Sequence, residues 1–293
     1  MTPDWIAVDW GTSQVRAWAM HGDTPLAVAR SDAGMGTLSP GDFEAALLTL
    51  VQDWLPDSPI AVVICGMAGA RQGWQEAPYA SVPCAPDAGG CVRPQVHDPR
   101  LDVRILAGLK QDRPADVMRG EETQIAGVLA QDPRFDGVLC LPGTHTKWVQ
   151  VSAGEVVSFR TSMTGEIFAL LANQSVLRHG LSDGWDDAAF ADAVAEAMAR
   201  PEALAVRLFG LRAEGLLHGL SGPTARARLS GLLIGAELAA LRPYWLGQRV
   251  AIIGDAPLCD TYAAALTAQG LAPQMIDASK ATLSGLTAAH AKT

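Results

Sequence analysis

The chain has 293 residues, of which 49% are hydrophobic and 18% charged, so it has ample apolar surface for a core and too little charge for a disordered segment. Its formal net charge is −9, with basic residues scattered along the chain, a distribution that excludes nucleic acid and anionic membrane as partners. Length allows either one large domain or two medium α/β lobes.

Met1-Thr2-Pro3-Asp4 leads directly into an apolar segment, without the basic and apolar regions of a signal peptide, and no apolar run reaches membrane-spanning length. The expected location is therefore cytoplasmic. Cys65, Cys84, Cys91, Cys140 and Cys259 show neither a Cys-x-x-Cys spacing nor a Cys/His pair at metal spacing, and are expected to be reduced thiols.

Trp5 to Asp9 predicts a buried strand, Val15 to Met20 its partner after a Gly-Thr-Ser turn, and Leu26 to Arg30 a third strand. Gly41 to Leu55 carries Phe43, Leu47, Leu50, Val51 and Trp54 at helical spacing, and Ile60 to Cys65 follows as a central strand. Gly66 to Val96, dense in Gly and Pro with single aromatics, predicts a long functional loop or small cap. Ala115 to Ala130 predicts a helix. Gly137 to Leu141, Lys147 to Val151 and Val156 to Arg160 repeat the three-strand opening. Helices are expected over Thr164 to Gly180, Asp186 to Arg212 and Ala225 to Leu241, then a strand at Val250 to Ile253 and a last helix. The duplicated β-β-β-α-β pattern implies tandem lobes, divided as residues 1–120 and 121–293, with the last helix free to return to the N-terminal lobe.

Each half places a Gly-Thr turn after its first strand. In Asp9-Trp10-Gly11-Thr12-Ser13, glycine permits close backbone approach, Thr12 and Ser13 can donate to phosphate oxygens, and Asp9 can hold Mg²⁺. Alone, this reads equally well as a structural turn. In Leu141-Pro142-Gly143-Thr144-His145-Thr146-Lys147-Trp148, hydroxyls and a lysine again follow an apolar strand. Neither loop is a Walker A motif, and no Gly-x-Gly-x-x-Gly joins a strand to a helix.

The paired loops resemble the phosphate-binding hairpins of the sugar kinase, heat-shock ATPase and actin superfamily, and Ile253-Gly254-Asp255-Ala256-Pro257 resembles its adenosine segment. More narrowly, the chain resembles the 2-dehydro-3-deoxygalactonokinases. The resemblance is carried by the first loop, Gly66 to Trp74, Glu76-Ala77-Pro78-Tyr79, Met118 to Gln124, the second loop, and Gly231 to Glu237. It implies two tandem ribonuclease-H-like α/β lobes around an ATP cleft, with ATP and Mg²⁺ as cofactors. It also implies transfer of the γ-phosphoryl group to the terminal 6-hydroxyl of a 2-dehydro-3-deoxy sugar acid in galactonate catabolism.

Such a kinase needs a carboxylate beside the attacking hydroxyl. In related sugar kinases the base opens the helix before the second phosphate loop, which implies Glu121, although Asp is common there and Glu122 stands beside it. Two acids in a first helical turn also simply complement the helix dipole. For the substrate carboxylate, Arg71 offers a bidentate fork at the end of a central strand. Gln72 and Glu76 supply polar contacts, Arg119 serves either the substrate or phosphate, and Trp74 and Tyr79 form an apolar wall or anchor the loop to the core. Thus the expected cofactor set is Asp9, Gly11, Thr12, Ser13, Gly143, Thr144, His145, Thr146, Gly254 and Asp255, with Lys147 catalytic beside Glu121. His145 reads equally as a hydrogen-bonded loop residue. A homodimer is compatible with this reading, and the epimer of the sugar acid is left open. The rival readings are an actin-like assembly protein, which needs no substrate loop, and a phosphohydrolase in which Glu121 activates water.

Overall fold

The computed structural model describes residues 3–292; Met1 and Thr2, where the reading of the N-terminus begins, lie outside the described residues. In chain order come β1 (Trp5–Trp10), β2 (Val15–His21), β3 (Thr24–Ser31), α1 (Phe43–Val51), β4 (Ile60–Gly66), β5 (Tyr79–Ser81), β6 (Cys91–Val92), β7 (Leu101–Leu106), β8 (Gly108–Asp112), β9 (Ala115–Met118) and α2 (Glu121–Gln131). There follow β10 (Gly137–Leu141), β11 (Thr146–Ser152), β12 (Glu155–Ser162), α3 (Thr164–Asn173), α4 (Asp187–Ala199), α5 (Leu204–His218), α6 (Gly222–Ala240), α7 (Arg242–Trp245), β13 (Val250–Gly254), α8 (Ala256–Thr267), β14 (Gln274–Asp277) and α9 (Ala278–His290). The β-β-β-α-β opening and its repetition are both present, the second with α4 to α7 inserted before β13.

Three expectations need correction. The helix expected from Ala115 begins only at Glu121: Ala115–Met118 pairs antiparallel with β8, and Gly120, at φ 106°, turns the chain between strand and helix. The Thr164 to Gly180 helix stops at Asn173, with a separate 3-10 turn over Val176–Gly180. The Asp186 to Arg212 segment is two helices parted before Pro201, whose missing N–H and ring bulk end a helix. β7 adds a further strand, although Leu101, Val103 and Ile105 already alternate with polar neighbours.

The first sheet has the order β3-β2-β1-β4-β7-β6. β1 runs parallel to β4, and β4 to β7, while β2 and β3 form antiparallel hairpins. Period-two alternation gives each central strand two buried faces. On β1, Ile6, Val8 and Trp10 join Phe43 and Leu47 of α1 in one core cluster, whereas Trp5 and Ala7 join Leu286 and Ala289 of α9 in another. The second sheet has the order β12-β11-β10-β13-β14, and Val138, Cys140, Trp148, Val250 and Ile252 pack against α4, α6 and α8.

The chain divides into two compact units. One holds the chain through Asp136, Val151–Ser158 and the stretch from Asp277 onward; the other holds Gly137–Gln150 and Phe159–Ile276. The observed boundary lies beyond the expected 120/121 division because α2 packs with α9. Glycines make that approach possible: a Cβ at Gly127 would lie 1.8 Å from the Ala281 carbonyl oxygen, and one at Gly285 1.9 Å from that of Thr123.

Candidate active site

The first loop leaves β1 after Asp9 and re-enters the sheet at Val15. It is held from behind: the Gly11 amide donates to the Gln14 carbonyl at 2.8 Å, and the Gly11 and Thr12 carbonyls accept from the Met35 and Gly36 amides at 3.0 and 2.8 Å. Gly34 is required there, since a Cβ would lie 2.2 Å from the Ser13 backbone carbon. Thr12 and Ser13 are left exposed. Asp9 Oδ2 pairs with Arg16 Nη2 at 3.3 Å, and its other oxygen accepts from Cys65 Sγ at 3.8 Å. Burial raises the Asp9 pKa and Arg16 pulls it back down, for a net upward shift; the negative charge of Glu121 raises it further. A cavity of about 290 Å³ borders Asp9, Gly11, Ser13, Arg16 and Arg30.

The start of α2 separates two adjacent acids. Glu121 is half-buried and accepts from the Arg119 amide at 3.0 Å. Glu122 is 2% exposed and accepts from the Gly120 amide at 2.7 Å and from the Thr123 hydroxyl at 3.2 Å. Burial, with the neighbouring Glu121 charge, pushes its pKa up to about 8. A Cβ on Gly120 would stand 3.3 Å from the Gly66 Cα. Glu121 therefore opens a helix directly beside the end of β4, where the Gly66 to Tyr79 segment begins.

Within that segment Arg71, Gln72 and Glu76 are exposed, with Arg71 Nε 3.5 Å from Glu76 Oε1. Trp74 is a loop anchor, its ring 6.1 Å from that of Phe43 and 6.3 Å from that of Trp10. Arg119 is buried, donates to the Ala77 carbonyl at 2.7 Å and lies 4.2 Å over the Tyr79 ring. It ties down the segment's far end, and Gly69 leaves room for its guanidinium, since a Cβ there would be 2.8 Å from Nη1. The structure brings these residues together in the first unit, with Arg119 and Trp74 as supports and Arg71 and Gln72 facing solvent.

In the second unit, the loop between β10 and β11 exposes Thr144 and His145. His145 Nε2 lies 2.6 Å from Glu166 Oε2, and the Thr144 carbonyl accepts from the Glu166 amide at 2.9 Å, so the loop sits against the start of α3. Gly165 makes that contact possible, since a Cβ would lie 2.2 Å from the Gly143 carbonyl oxygen. Thr146 and Lys147, expected to face a polyphosphate, are instead 0% and 5% exposed; they already belong to β11, which packs on both faces. The Thr146 hydroxyl is 2.9 Å from Tyr262 Oη, and Lys147 Nζ is 3.5 Å from the His145 carbonyl.

Glu237, buried on α6, is the hub beneath this loop. Trp148 Nε1 donates to it at 2.7 Å, Tyr262 Oη at 2.9 Å, and Thr164 Oγ1 donates as well. Because Tyr262 spends its proton on Glu237, Thr146 is the donor in its own bond to Tyr262. Burial raises the Glu237 pKa, and the three donated hydrogen bonds oppose that rise.

A cavity of about 730 Å³ opens beside the hub, with Phe168, Trp185, Phe190, Leu233 and Ile234 as apolar walls and Gly143, Thr164, Gly165, Arg226, Ser230 and Asp255 as polar or backbone edges. Its size and mixed lining suit a nucleoside. A Cβ built on Gly143 meets nothing within 4 Å, so the missing side chain leaves that backbone approachable by a ligand. Gly254 is packed rather than open, with a Cβ 3.0 Å from Cys259 Sγ and 3.2 Å from the Pro142 carbonyl oxygen; it brings β13 up to the second loop. Among the described residues no group of three or more His, Cys, Asp or Glu is placed to hold a metal. A single carboxylate such as Asp9 nevertheless fits Mg²⁺, which takes its remaining ligands from water and phosphates.

The model of the 2-keto-3-deoxy-galactonokinase family matches residues 9–289. The chain belongs to this family. It is 40% identical over 97% of its length to a Rhizobium meliloti (strain 1021) protein named 2-dehydro-3-deoxygalactonokinase DgoK1, covering 96% of that relative. It is 37% identical over 92% of its length to the 2-dehydro-3-deoxygalactonokinase of Escherichia coli (strain K12), covering 91% of it. A crystal structure from Sinorhizobium meliloti described as a 2-dehydro-3-deoxygalactonokinase protein superposes with a TM-score of 0.91 at 40% identity, covering 98% of both chains.

Several residues of this family member's site are absent from the sequence-based set. Gly34 and Gly36 pin the first loop, and their only sequence signal is the Gly-x-Gly spacing after Ala33. Gly165 and Glu166 brace the second loop through the adjacent helix start, and Glu237 collects donors from three elements far apart in the chain. Trp185, just before α4, and Arg226 and Ser230, one turn apart on α6, reach the large cavity from segments that no local pattern brings together. No helix among the described residues is long and apolar enough to cross a membrane.

Proposed function

We propose that this chain is an ATP-dependent kinase that phosphorylates the terminal hydroxyl of 2-dehydro-3-deoxy-D-galactonate, giving the 6-phosphate. The observation that carries the reading is the half-buried Glu121 at the start of α2, near Asp9 and beside the Gly66 segment, in a chain that matches the kinase family over residues 9–289.

When bound, Mg-ATP supplies the phosphoryl group and a cation that offsets the charge developing on the phosphate oxygens. Asp9 holds the cation, and Gly11, Thr12 and Ser13 offer backbone and hydroxyl donors to phosphate. Gly143, Thr144 and His145 do the same from the second loop, while Thr146, Lys147 and Gly254 shape that loop from inside the strands. Asp255 borders the nucleoside cavity. Glu121 would accept the proton of the attacking hydroxyl as its oxygen bonds to the γ-phosphorus and the bond from that phosphorus to the bridging oxygen breaks, with ADP as the leaving group. Arg71 orients the substrate carboxylate with its guanidinium fork, and Gln72 and Glu76 meet its hydroxyls. Arg119, Trp74 and Tyr79 keep the segment in place.

The test is coupled ADP release with Mg-ATP and a panel of 2-keto-3-deoxy acids, including the gluconate epimer and a blank without acid. A rate dependent on the galactonate compound and abolished by chelating Mg²⁺ is expected. Equal ADP release in the blank rejects the kinase reading in favour of ATP hydrolysis.

A further inference from the structure

Most exposed large hydrophobic side chains among the described residues lie between Met163 and Leu217, and the densest group is on one helix. On α5, Val206, Phe209, Leu216 and Leu217 are 76, 64, 66 and 74% exposed. At 100° per residue they share one stripe with Gly210 and Ala213. The opposite face is satisfied, Leu204, Leu208 and Leu211 packing into a core cluster with Leu177. Single exposed apolar residues are ordinary on a protein surface, but a contiguous helical stripe marks an interaction site.

We propose that this face of α5 is the interface between two copies of the chain, paired antiparallel about a two-fold axis near Gly210 and Ala213. The order of residues along the stripe is self-complementary: bulky pairs at each end and small residues in the middle. Antiparallel pairing sets Val206 and Phe209 of one copy against Leu216 and Leu217 of the other, while the small central residues let the helices cross closely. A Cβ on Gly210 meets nothing within 4 Å, so a neighbouring helix has space there. A closed two-fold contact of this kind uses the same patch twice.

Three charged side chains of α5 flank the stripe, Arg207, Arg212 and Glu214, and two of them are paired within their own copy. Arg207 is tied to Glu196 at 2.7 Å, and Glu214 accepts from Arg228, so both are neutralised within their own copy. With their rims, the four exposed side chains of two copies bury on the order of 1,000 Å², the lower limit for a biological interface.

Light scattering and sedimentation of the full chain across a micromolar concentration series test this. The wild type is expected at twice the 30.7 kDa chain mass, and Phe209→Glu with Leu217→Glu is expected to weaken the dimer at least a hundredfold while the separated chains stay folded, with a melting temperature that no longer depends on concentration. A wild type that stays monomeric throughout overturns the proposal, as does a dimer indifferent to both substitutions. Should the double variant fail to fold, Gly210→Cys decides: oxidant-dependent, reductant-reversible cross-linking beyond that of the wild type supports the interface, and none overturns it.

Discussion

Gly120 donates its amide hydrogen to Glu122 Oε2 at 2.7 Å, and that bond gives two adjacent carboxylates different work. It turns Glu122 inward and leaves Glu121 half-exposed at the mouth of the helix. Glu121→Gln is accordingly expected to lower kcat by about 10²- to 10⁴-fold, the usual range for a lost general base, with little change in melting temperature. Glu122→Gln keeps an acceptor oxygen for Gly120 and should cost far less activity. Steady-state kinetics on both variants decide the matter, and the reverse ranking would move the base to Glu122.

Glu122 also makes stability depend on pH. Its folded pKa is about 8 against an ordinary 4.5, so between these values the native state holds a proton that the unfolded chain releases. Stability therefore falls as pH rises through this window and levels off above it. The loss amounts to at most a few kcal/mol. Urea titrations of the wild type and Glu122→Gln at pH 5, 7 and 9 should show a stability difference that shifts with pH in favour of the variant. A difference independent of pH would mean that this carboxylate is ionised in the fold.

Two arginines expected to meet the substrate should respond differently. Arg71 is exposed and paired only loosely with Glu76, so Arg71→Ala should raise KM for the sugar acid about 10- to 100-fold, a loss of 1.4 to 2.7 kcal/mol of binding, and leave the melting temperature unchanged. Arg119→Ala removes a buried donor to Ala77 and the cover over Tyr79, so a loss of roughly 1–3 kcal/mol of stability is expected. Thermal unfolding beside the kinetics separates the two; equal stability losses would contradict the assignment.

Glu237 accepts from Trp148, Thr164 and Tyr262, and its two carboxyl oxygens have room for all three. In Glu237→Gln an amide group must turn at least one donor toward Trp148, or toward Thr164 and Tyr262. Leaving such buried groups unmatched costs about 1–3 kcal/mol. Because Thr164 and Tyr262 line the large cavity, KM for ATP should rise while KM for the sugar acid holds. An unchanged KM for ATP would detach the hub from nucleotide binding.

The sequence by itself determined the repeated strand and helix order, because the continuous apolar runs of β1 and β4 and the helical spacing on α1 are local properties of neighbouring residues. It likewise marked both Gly-Thr loops and the acids opening α2, since each is a contiguous motif. Tertiary structure alone decided which acid faces outward, for Glu121 and Glu122 differ only in what surrounds them. Thr146 and Lys147 read as phosphate donors, yet both are buried: β11 begins one residue earlier than the expected strand and so takes in Thr146, and its packing on both faces covers Lys147 as well. Helix α2 joins the first unit through Gly127 and Gly285, glycines whose partners lie far along the chain, and Glu237 gathers Trp148, Thr164 and Tyr262 by the same long-range packing. Local pattern reports what a segment prefers; burial and partner choice depend on what the rest of the chain brings to it.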